Sequence, residues 1–151
     1  MEIIRAKPED ASVLTEIAFA AKRHWGYPER WMTNWSPLLT LTPQFIRATN
    51  VYAAVLEGKL VGFHALVRER DKFILQHLWV LPEAMGRGVG RRLFTHALER
   101  ARALGGRRVE LESDPNAEGF YLRMGARKVG VSITELDGQP RELPLFVMDL
   151  G

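Results

Sequence analysis

The stretch Leu75–Leu93, LQHLWVLPEAMGRGVGRRL, decides the fold, because a strand, a glycine-rich turn and the start of a helix follow one another in it. The apolar and aromatic run Phe73–Val80 predicts a buried strand, which Pro82 ends because proline cannot donate to a strand ladder. After the turn, apolar residues recur at helical spacing: Val89, Leu93, Ala97, Ala101 and Leu104. This period predicts an amphipathic helix that ends at Gly105.

Three glycines, Gly86, Gly88 and Gly90, stand where that helix begins. The first backbone N–H groups of a helix have no partner within it, and glycines let an anionic ligand approach them. Cations are unfavourable at the positive end of the helix dipole unless an anion joins them, yet arginines crowd this end: Arg87, Arg91 and Arg92. We therefore expect phosphate binding rather than a solvated surface turn. The pattern is neither a Walker loop nor a dinucleotide fingerprint.

Composition narrows the class of protein. The 151 residues, 46% hydrophobic and 26% charged, predict a single domain over residues 1–151. The absence of cysteine excludes disulfides and thiolate chemistry and favours a reducing cytoplasm. The start MEIIRAKPED is no signal peptide, and no apolar run suits a membrane span. We expect no metal site and no membrane partner.

The net charge of +3 arises largely from one region, because the segment 86–108 contains seven arginines and, as its only acid, Glu99. Such a patch suits a small polyanionic cofactor as well as a nucleic-acid backbone. No nucleic-acid-binding motif accompanies it, so we expect the cofactor and no nucleic acid.

The residues before the central strand predict a strand at Glu2–Arg5 and then three helices. The first helix opens at Pro8 and places apolar residues on one face: Leu14, Ile17, Ala18, Ala21 and Trp25. The second carries Trp31 and Trp35 and should end before Pro37, and the third starts at the cap Thr42-Pro43.

Strands are predicted on both sides of the central helix. Those over residues 51–56 and 60–67 flank a hairpin turn at Glu57-Gly58. A strand at Val109–Glu112, a helix from Pro115 and strands over residues 128–133 and 143–150 complete the chain. Pro144 predicts an edge or a bulge in the last strand.

Two segments resemble motifs of the GCN5-related N-acetyltransferases. Residues 85–90, MGRGVG, resemble the acetyl-CoA loop Gln/Arg-x-x-Gly-x-Gly/Ala, with Met85 in place of Gln or Arg. Residues 114–126, DPNAEGFYLRMGA, resemble the later segment N-x-x-A-x-x-F-Y-x-x-x-G-F, with Asp114 where asparagine is common. The resemblance covers essentially the whole chain. It implies the family's mixed α/β fold: a mostly antiparallel twisted sheet of about six to seven strands, splayed at its centre and flanked by helices.

The resemblance also implies a donor, acetyl-CoA, and an acceptor, the amine of a small molecule or the amino group of a protein. Residues implied to bind the cofactor are Leu78, Trp79, Val80, Met85, Gly86, Arg87, Gly88, Val89, Gly90, Arg91, Asn116 and Tyr121. The Val80 amide would polarise the thioester carbonyl. Tyr121 is the candidate general acid, and Glu112 and His77 are candidates for the general base. The alternative for His77, a buried and hydrogen-bonded histidine of the core, is the favoured one.

Trp25, Tyr27, Trp31 and Trp35 lie in helices that this fold places at the acceptor rim. Aromatic faces suit an ammonium group, and Glu29 and His24 are interleaved with them, so Trp25, Tyr27 and Trp31 are the candidate substrate-binding residues. The alternative is that these aromatic residues belong to the core. A homodimer is common in similar proteins. Two other functions stay open: a CoA-binding regulatory module without turnover, and a nucleic-acid-binding protein that uses the arginine patch.

Overall fold

The computed structural model describes residues 1–151 and contains seven strands in one sheet. The strands are β1 Glu2–Arg5, β2 Asn50–Leu56, β3 Lys59–Glu69, β4 Lys72–Val80, β5 Arg108–Glu112, β6 Arg127–Leu136 and β7 Gln139–Asp149. Their order across the sheet is β1-β2-β3-β4-β5-β7-β6. β4 and β5 pair in parallel, whereas β1–β2, β2–β3, β5–β7 and β6–β7 pair antiparallel. This mixed, mostly antiparallel sheet confirms the predicted fold class.

Five helices accompany the sheet: α1 Ala11–Arg23, α2 Glu29–Leu39, α3 Pro43–Ala48, α4 Val89–Ala103 and α5 Glu118–Arg123. Short 3₁₀ turns at Pro8–Asp10, Pro82–Ala84 and Pro115–Ala117 precede α1, the glycine-rich turn and α5. The predicted cap of α3 is confirmed, because the Thr42 hydroxyl accepts a hydrogen bond of 3.1 Å from the Phe45 amide. None of the helices combines the length and apolar composition needed to cross a bilayer.

The chain forms two compact units by its internal contacts. The first comprises Met1–Leu66 and His77–Ala97, and the second comprises Val67–Gln76 and Leu98–Gly151. The single domain over residues 1–151 stays a prediction.

The first unit has two hydrophobic clusters. One contains the buried faces of α1, α2 and α3 against β2 and β3, with Leu14, Met32, Ile46 and Phe63 almost fully buried. The other packs the start of α4 against the sheet through five buried residues: Ala54, Val61, Ala84, Val89 and Leu93. The second cluster fixes where α4 begins.

The second unit is built on paired apolar residues of β4, β5 and β7. Phe73 is the register partner of Val109, and Leu111 is the partner of Phe146, and all four are buried. The register of β4 with β5 runs only from Lys72↔Arg108 to Ile74↔Glu110, although β4 continues to Val80. This early end of the pairing agrees with the predicted splay of the central strands.

Two expectations for the first helices are wrong. α1 ends at Arg23, so Trp25 does not share its apolar face and is 41% exposed. α2 does not end before Pro37 but continues to Leu39, which is 3% exposed. Proline removes one helical donor, and the burial of Leu39 in the last turn offsets that loss.

Pro144 does not mark an edge, because β7 lies between β5 and β6. Its carbonyl accepts a hydrogen bond of 2.8 Å from the amide of Ser113, the residue after β5 ends. In an antiparallel pair, the N–H and C=O groups of one residue point toward the same neighbouring strand. The N–H group that Pro144 lacks would therefore point, like its carbonyl, beyond the last residue of β5. A bulge at Pro144 is not observed either, and the register shift in this pair of strands lies on β6, between Lys128 and Gly130.

Candidate functional site

The turn between β4 and α4 forms an open backbone cradle. Gly86 and Gly88 have φ angles of 78° and 79°, in the left-handed region that favours glycine. No atom lies within 4 Å of the position that a Cβ would take at either residue. Left-handed residues alternating with ordinary ones turn successive amides toward a common point, an arrangement that binds anions. The space beside the turn is therefore open to a ligand.

The first turn of α4 adds further donors to this cradle. The first helical bond runs from the Arg92 amide to the Gly88 carbonyl at 3.1 Å. The amides of Val89, Gly90 and Arg91 precede it and have no acceptor within the helix. Val89 itself is fully buried in the cluster beneath the helix, which anchors this end of α4. The donors are thus held in place before any ligand arrives.

The arginines around the cradle are exposed, as the sequence indicated. Arg87 approaches Glu57 of the β2–β3 turn at 3.7 Å, but both side chains are more than half exposed, so this ion pair contributes little. Arg91 and Arg92 lie within the first turn of α4, at the positive end of its dipole. The donors and charges fit a pyrophosphate group, which a coenzyme A molecule would bring to the turn.

The end of β4 presents a backbone donor of the kind that the sequence predicts. The amide of Leu81 donates to the carbonyl of Val61 on β3 at 2.8 Å. Because successive amides of a strand point to opposite edges, the amide of Val80 points away from β3. Leu78 and Val80 pack against the cluster under α4, and Trp79 packs against the cluster formed by α1, α2 and α3. β4 therefore separates a face toward α4 from a face toward the first three helices.

His77, a candidate base, lies on the same face as Trp79 and is 6% exposed. Its Nδ1 accepts a hydrogen bond of 3.0 Å from the indole Nε1 of Trp79, and its ring contacts Phe45 and Phe63. Burial lowers the pKa of the His77 imidazole from its ordinary 6.5 to about 4. The ring is therefore neutral near pH 7 and is a weak base.

Tyr121, the candidate acid, lies in α5 and is 7% exposed. Its ring packs against Phe120 and Phe146, with centroid distances of 5.1 and 5.6 Å. Burial raises the pKa of its phenol above the ordinary value. The resting side chain therefore keeps its proton, and the same burial makes it a weaker acid than an exposed phenol.

Asp114 caps the short 3₁₀ turn Pro115–Ala117, at the position where asparagine is common in the similar family segment. Its Oδ1 accepts from the Asn116 backbone amide at 2.8 Å and from the Asn116 side-chain Nδ2 at 3.0 Å. Asp114 also lies 3.6 Å from the Arg141 guanidinium. The Asn116 side-chain amide, predicted to bind the cofactor, is thus engaged within its own turn.

Glu112 lies at the end of β5 and is exposed. It lines an open cavity of about 450 Å³ on the sheet face of the second unit, together with Ile74, Arg108, Glu110, Leu111, Arg127, Val129, Leu145, Phe146 and Val147. Glu110, two residues earlier, binds Lys72 at 3.0 Å and Arg108 at 2.7 Å. Of the two glutamates of β5, Glu112 is therefore the better placed for a proton transfer to or from a ligand.

Three of the four predicted aromatic residues assemble, and the exposed Trp25 does not join them. Tyr27, Trp31 and Trp35 lie within 6.0 Å of one another by ring centroid. The two polar residues predicted among them do not join this group. Glu29 forms a salt bridge of 3.0 Å with Arg23 on the surface, and His24 packs edge-on against the exposed Trp25.

The sequence analysis missed Lys22, which occupies the aromatic group itself. Its ammonium nitrogen lies 4.2 Å from the Trp35 ring centroid, 5.1 Å from that of Tyr27 and 6.0 Å from that of Trp79. Lys22 is only 8% exposed. One signal was available, because Leu14, Ala18 and Lys22 follow one another at i+4 spacing on the apolar face of α1.

The first unit therefore holds the glycine-rich turn, the end of β4, His77 and the aromatic residues around Lys22. The second unit holds Glu112, Asn116 and Tyr121. The roles assigned to these residues stay predictions.

Comparison with known proteins identifies the family. A family model described as acetyltransferase (GNAT) matches residues 14–126. A search of curated proteins found no match. Among solved structures, the chain is similar to a GCN5-related N-acetyltransferase from Rhodopseudomonas palustris, with 22% identity, coverage of 99% of this chain and 95% of that chain, and a TM-score of 0.81.

Two similar structures contain coenzyme A or its acetyl form. The PaiA N-acetyltransferase from Thermoplasma acidophilum, in complex with coenzyme A, is 21% identical, covers 98% of both chains and has a TM-score of 0.75. YncA from Salmonella typhimurium, with its cofactor acetyl-CoA, is 18% identical, covers 100% of this chain and 94% of that chain, and has a TM-score of 0.73. These likenesses confirm the fold, and the family match covers most of the chain. The chain belongs to the acetyltransferase (GNAT) family.

Proposed function

We propose that this protein is an acetyl-CoA-dependent N-acetyltransferase that transfers the acetyl group directly to a primary amine of a small molecule or a protein. The observation that carries the proposal is the open cradle of Gly86 and Gly88 at the anchored N-terminus of α4. Its backbone donors are preformed and its arginines are exposed, which is what a pyrophosphate requires.

Different groups of the chain bind different parts of acetyl-CoA in this proposal. The amides of the turn and of the first helical turn hold the pyrophosphate, and Arg91 and Arg92 add positive charge. The amide of Val80 hydrogen-bonds to the thioester carbonyl and so favours the charge that develops on its oxygen. Acetyl-CoA itself, when bound, supplies an acetyl group activated as a thioester.

The proton balance of the transfer assigns the other roles. A carbon–nitrogen bond forms, the carbon–sulfur bond breaks, one proton leaves the amine and one proton reaches the departing sulfur. We assign the latter to Tyr121, because it stands at the tyrosine of the segment 114–126 that resembles the family motif and it is protonated in the resting protein. For the base, exposure and an open cavity favour Glu112 over His77, which is buried and has a pKa of about 4.

The first test changes the cradle. Gly88→Glu places a carboxylate where the pyrophosphate would bind, so we expect the affinity for acetyl-CoA, measured by calorimetry, to fall at least about 100-fold. Gly138→Glu is the matched control, because Gly138 also has a left-handed φ, 73°, and open space around it. It adds the same charge and a similar backbone strain in the β6–β7 turn. Unchanged acetyl-CoA affinity in Gly88→Glu would contradict the assignment of the turn.

The second test concerns turnover. The wild-type protein is incubated with acetyl-CoA and a panel of small amines and of peptides with a free amino terminus or a lysine, and the released thiol is measured. We expect thiol release that depends on the amine, with a product heavier by one acetyl group. If acetyl-CoA binds but no amine supports thiol release, the protein is a CoA-binding module and the enzymatic proposal is wrong.

A further inference from the structure

The strand β6 forms one edge of the sheet, and its outer side has no neighbouring strand. An edge strand presents unpaired backbone N–H and C=O groups, and proteins protect such an edge by keeping it short or by placing proline or charge in it. The opposite edge follows this rule, because β1 has only four residues, Glu2–Arg5. β6 has ten residues, Arg127–Leu136, and contains no proline. The edge at β6 is therefore long enough to pair with another strand.

The same strand exposes apolar side chains. Val129, Val131 and Ile133 are 50%, 40% and 68% exposed. Val131 and Ile133 lie on one face of the sheet, because they are the register partners of Pro144 and Glu142 and residues two apart in a strand share a face. Single apolar residues are common on protein surfaces, whereas several of them along one open edge strand mark an interaction site.

The chain itself covers this face only near the start of β6. The ring of Tyr121 in α5 packs on Phe146 at 5.6 Å by ring centroid, and Phe146 is the register partner of Lys128. Val131 and Ile133 lie further along β6 and stay exposed. A cover for these two side chains must therefore come from another molecule.

The sequence of β6 is complementary to itself when two copies run antiparallel. Its first residues, Arg127 and Lys128, are basic, and Glu135 near its end is acidic. An antiparallel pair of copies places the basic start of one strand beside the acidic end of the other, whereas a parallel pair would place like charges together. A two-fold axis generates the antiparallel arrangement from two identical chains. The charges of β6 therefore favour a second copy of this chain as the partner.

The apolar residues select one register for such a pair. On an edge strand the outward-pointing backbone groups belong to every second residue, so in a symmetric antiparallel pair one residue must face its own equivalent. With Ser132 at the centre, Val131 of each copy faces Ile133 of the other. With Val131 at the centre, Ile133 would face Val129, which the register shift in β6 leaves without a partner in the ladder. With Ile133 at the centre, Val131 would face the carboxylate of Glu135.

We propose that the chain forms a two-fold symmetric dimer in which the β6 strands of two copies pair antiparallel about Ser132. This pairing satisfies the outward backbone groups of residues 130–134 in both copies. It also brings four β-branched side chains together on one face, Val131 and Ile133 from each copy, and such cross-strand pairs stabilise a sheet. All the residues involved belong to the second unit, and the proposal is independent of acetyl transfer.

The first test measures the mass of the protein in solution by gel filtration with light scattering, over a range of concentrations. We expect the wild type to have twice the mass of one chain. Ile133→Lys should raise the Kd of the dimer at least about 100-fold, because a two-fold interface contains each substitution twice. Leu38→Lys is the matched control, since Leu38 at the end of α2 is 72% exposed and Ile133 is 68% exposed.

The control should dimerise like the wild type. Circular dichroism checks that both variants are folded. The proposal is overturned by a wild type that stays monomeric at every concentration, by a folded Ile133→Lys that dimerises normally, or by equal dissociation of the two variants.

Disulfide formation tests the register, and the chain has no cysteine of its own to interfere. Ser132→Cys places two thiols directly opposite each other, with Cα atoms about 4.5–5.5 Å apart, which a disulfide can span. Thr134→Cys is the control, because its two equivalents would be more than about 13 Å apart along the paired strands. Thr134 is also more exposed than Ser132, so unspecific oxidation would favour the control.

Under mild oxidation, non-reducing electrophoresis should show the covalent dimer forming at least about 10-fold faster in Ser132→Cys than in Thr134→Cys. Equal rates in the two variants, or faster cross-linking of Thr134→Cys, would overturn the pairing of β6 about Ser132.

Discussion

Gly62 offers a stringent test of how the fold supports the cofactor turn. It lies in β3, and a Cβ there would stand 2.8 Å from the Trp79 carbonyl oxygen, 3.0 Å from Leu93 Cδ1 and 3.3 Å from Val89 Cγ1. The first contact is with backbone, which a rotamer change cannot relieve. Gly62→Ala must therefore move the end of β4, the first turn of α4, or both.

The size of the effect follows from these contacts. Overpacking a buried site costs about 1–3 kcal/mol. The alanine also raises the free energy of unfolding by about 0.5–1 kcal/mol, because it restricts the unfolded chain. The difference is a net loss of up to about 2.5 kcal/mol, which for a chain of this length corresponds to a fall in melting temperature of up to about 10 °C. Because Val89 opens the helix whose amides form the cradle, we expect the affinity for acetyl-CoA to fall as well, by about 10-fold.

The control is Gly130→Ala in β6, where no atom lies within 4 Å of the added Cβ and φ is not in the left-handed region. Thermal unfolding and calorimetric binding of acetyl-CoA are measured for both variants. Gly130→Ala should match the wild type or exceed its melting temperature. If Gly62→Ala unfolds and binds like Gly130→Ala, the close approach of β3 to β4 does not support the cradle, and the reasoning is refuted.

Two further predictions concern the buried titratable residues. Tyr121→Phe should lower kcat by about 10²–10⁴-fold, because the ring no longer donates a proton. The Kd for acetyl-CoA should stay unchanged, because the ring still packs. Wild-type turnover by this variant would show that Tyr121 is a core residue only. The pKa of His77 in the folded state, about 4, lies below its ordinary 6.5, so the folded state resists protonation. The neutral His77 side chain therefore contributes fully to the free energy of unfolding above about pH 6.5. This contribution, about 3 kcal/mol in total, is lost as the pH falls toward 4. Urea unfolding at several pH values should show His77→Gln losing less stability over this window than the wild type; identical losses would contradict the burial argument.

Much of the fold could be predicted because local signals agree with tertiary packing. The apolar period of α4 predicts its buried face, and Val89, Leu93 and Ala97 are all fully buried. Thr42 and Pro43 specify a helix start by local hydrogen bonding and backbone angle, which require no information from distant residues. The glycine-rich turn was predictable for the same reason.

The remaining errors depend on contacts that a single sequence does not reveal. Pro37 reads as a helix terminator unless the burial of Leu39 is known. Pro144 reads as an edge residue unless it is known that β5 ends beside it. Lys22 reads as a solvated charge, because lysine seldom lies on a buried face and its aromatic neighbours come from α2 and β4. In each case the tertiary partner decides, and it is distant in sequence.

The aromatic residues around Lys22 also determine what optical spectroscopy can detect. All four tryptophans, Trp25, Trp31, Trp35 and Trp79, belong to the first unit, whereas the second unit contains a single tyrosine, Tyr121, as its near-ultraviolet reporter besides phenylalanine. Indole emission therefore follows the unfolding of the first unit alone, while far-ultraviolet circular dichroism follows helices and strands of both. Coincident melting curves from the two signals would indicate one cooperative transition, and separated curves would measure the stability of each unit without any label being added.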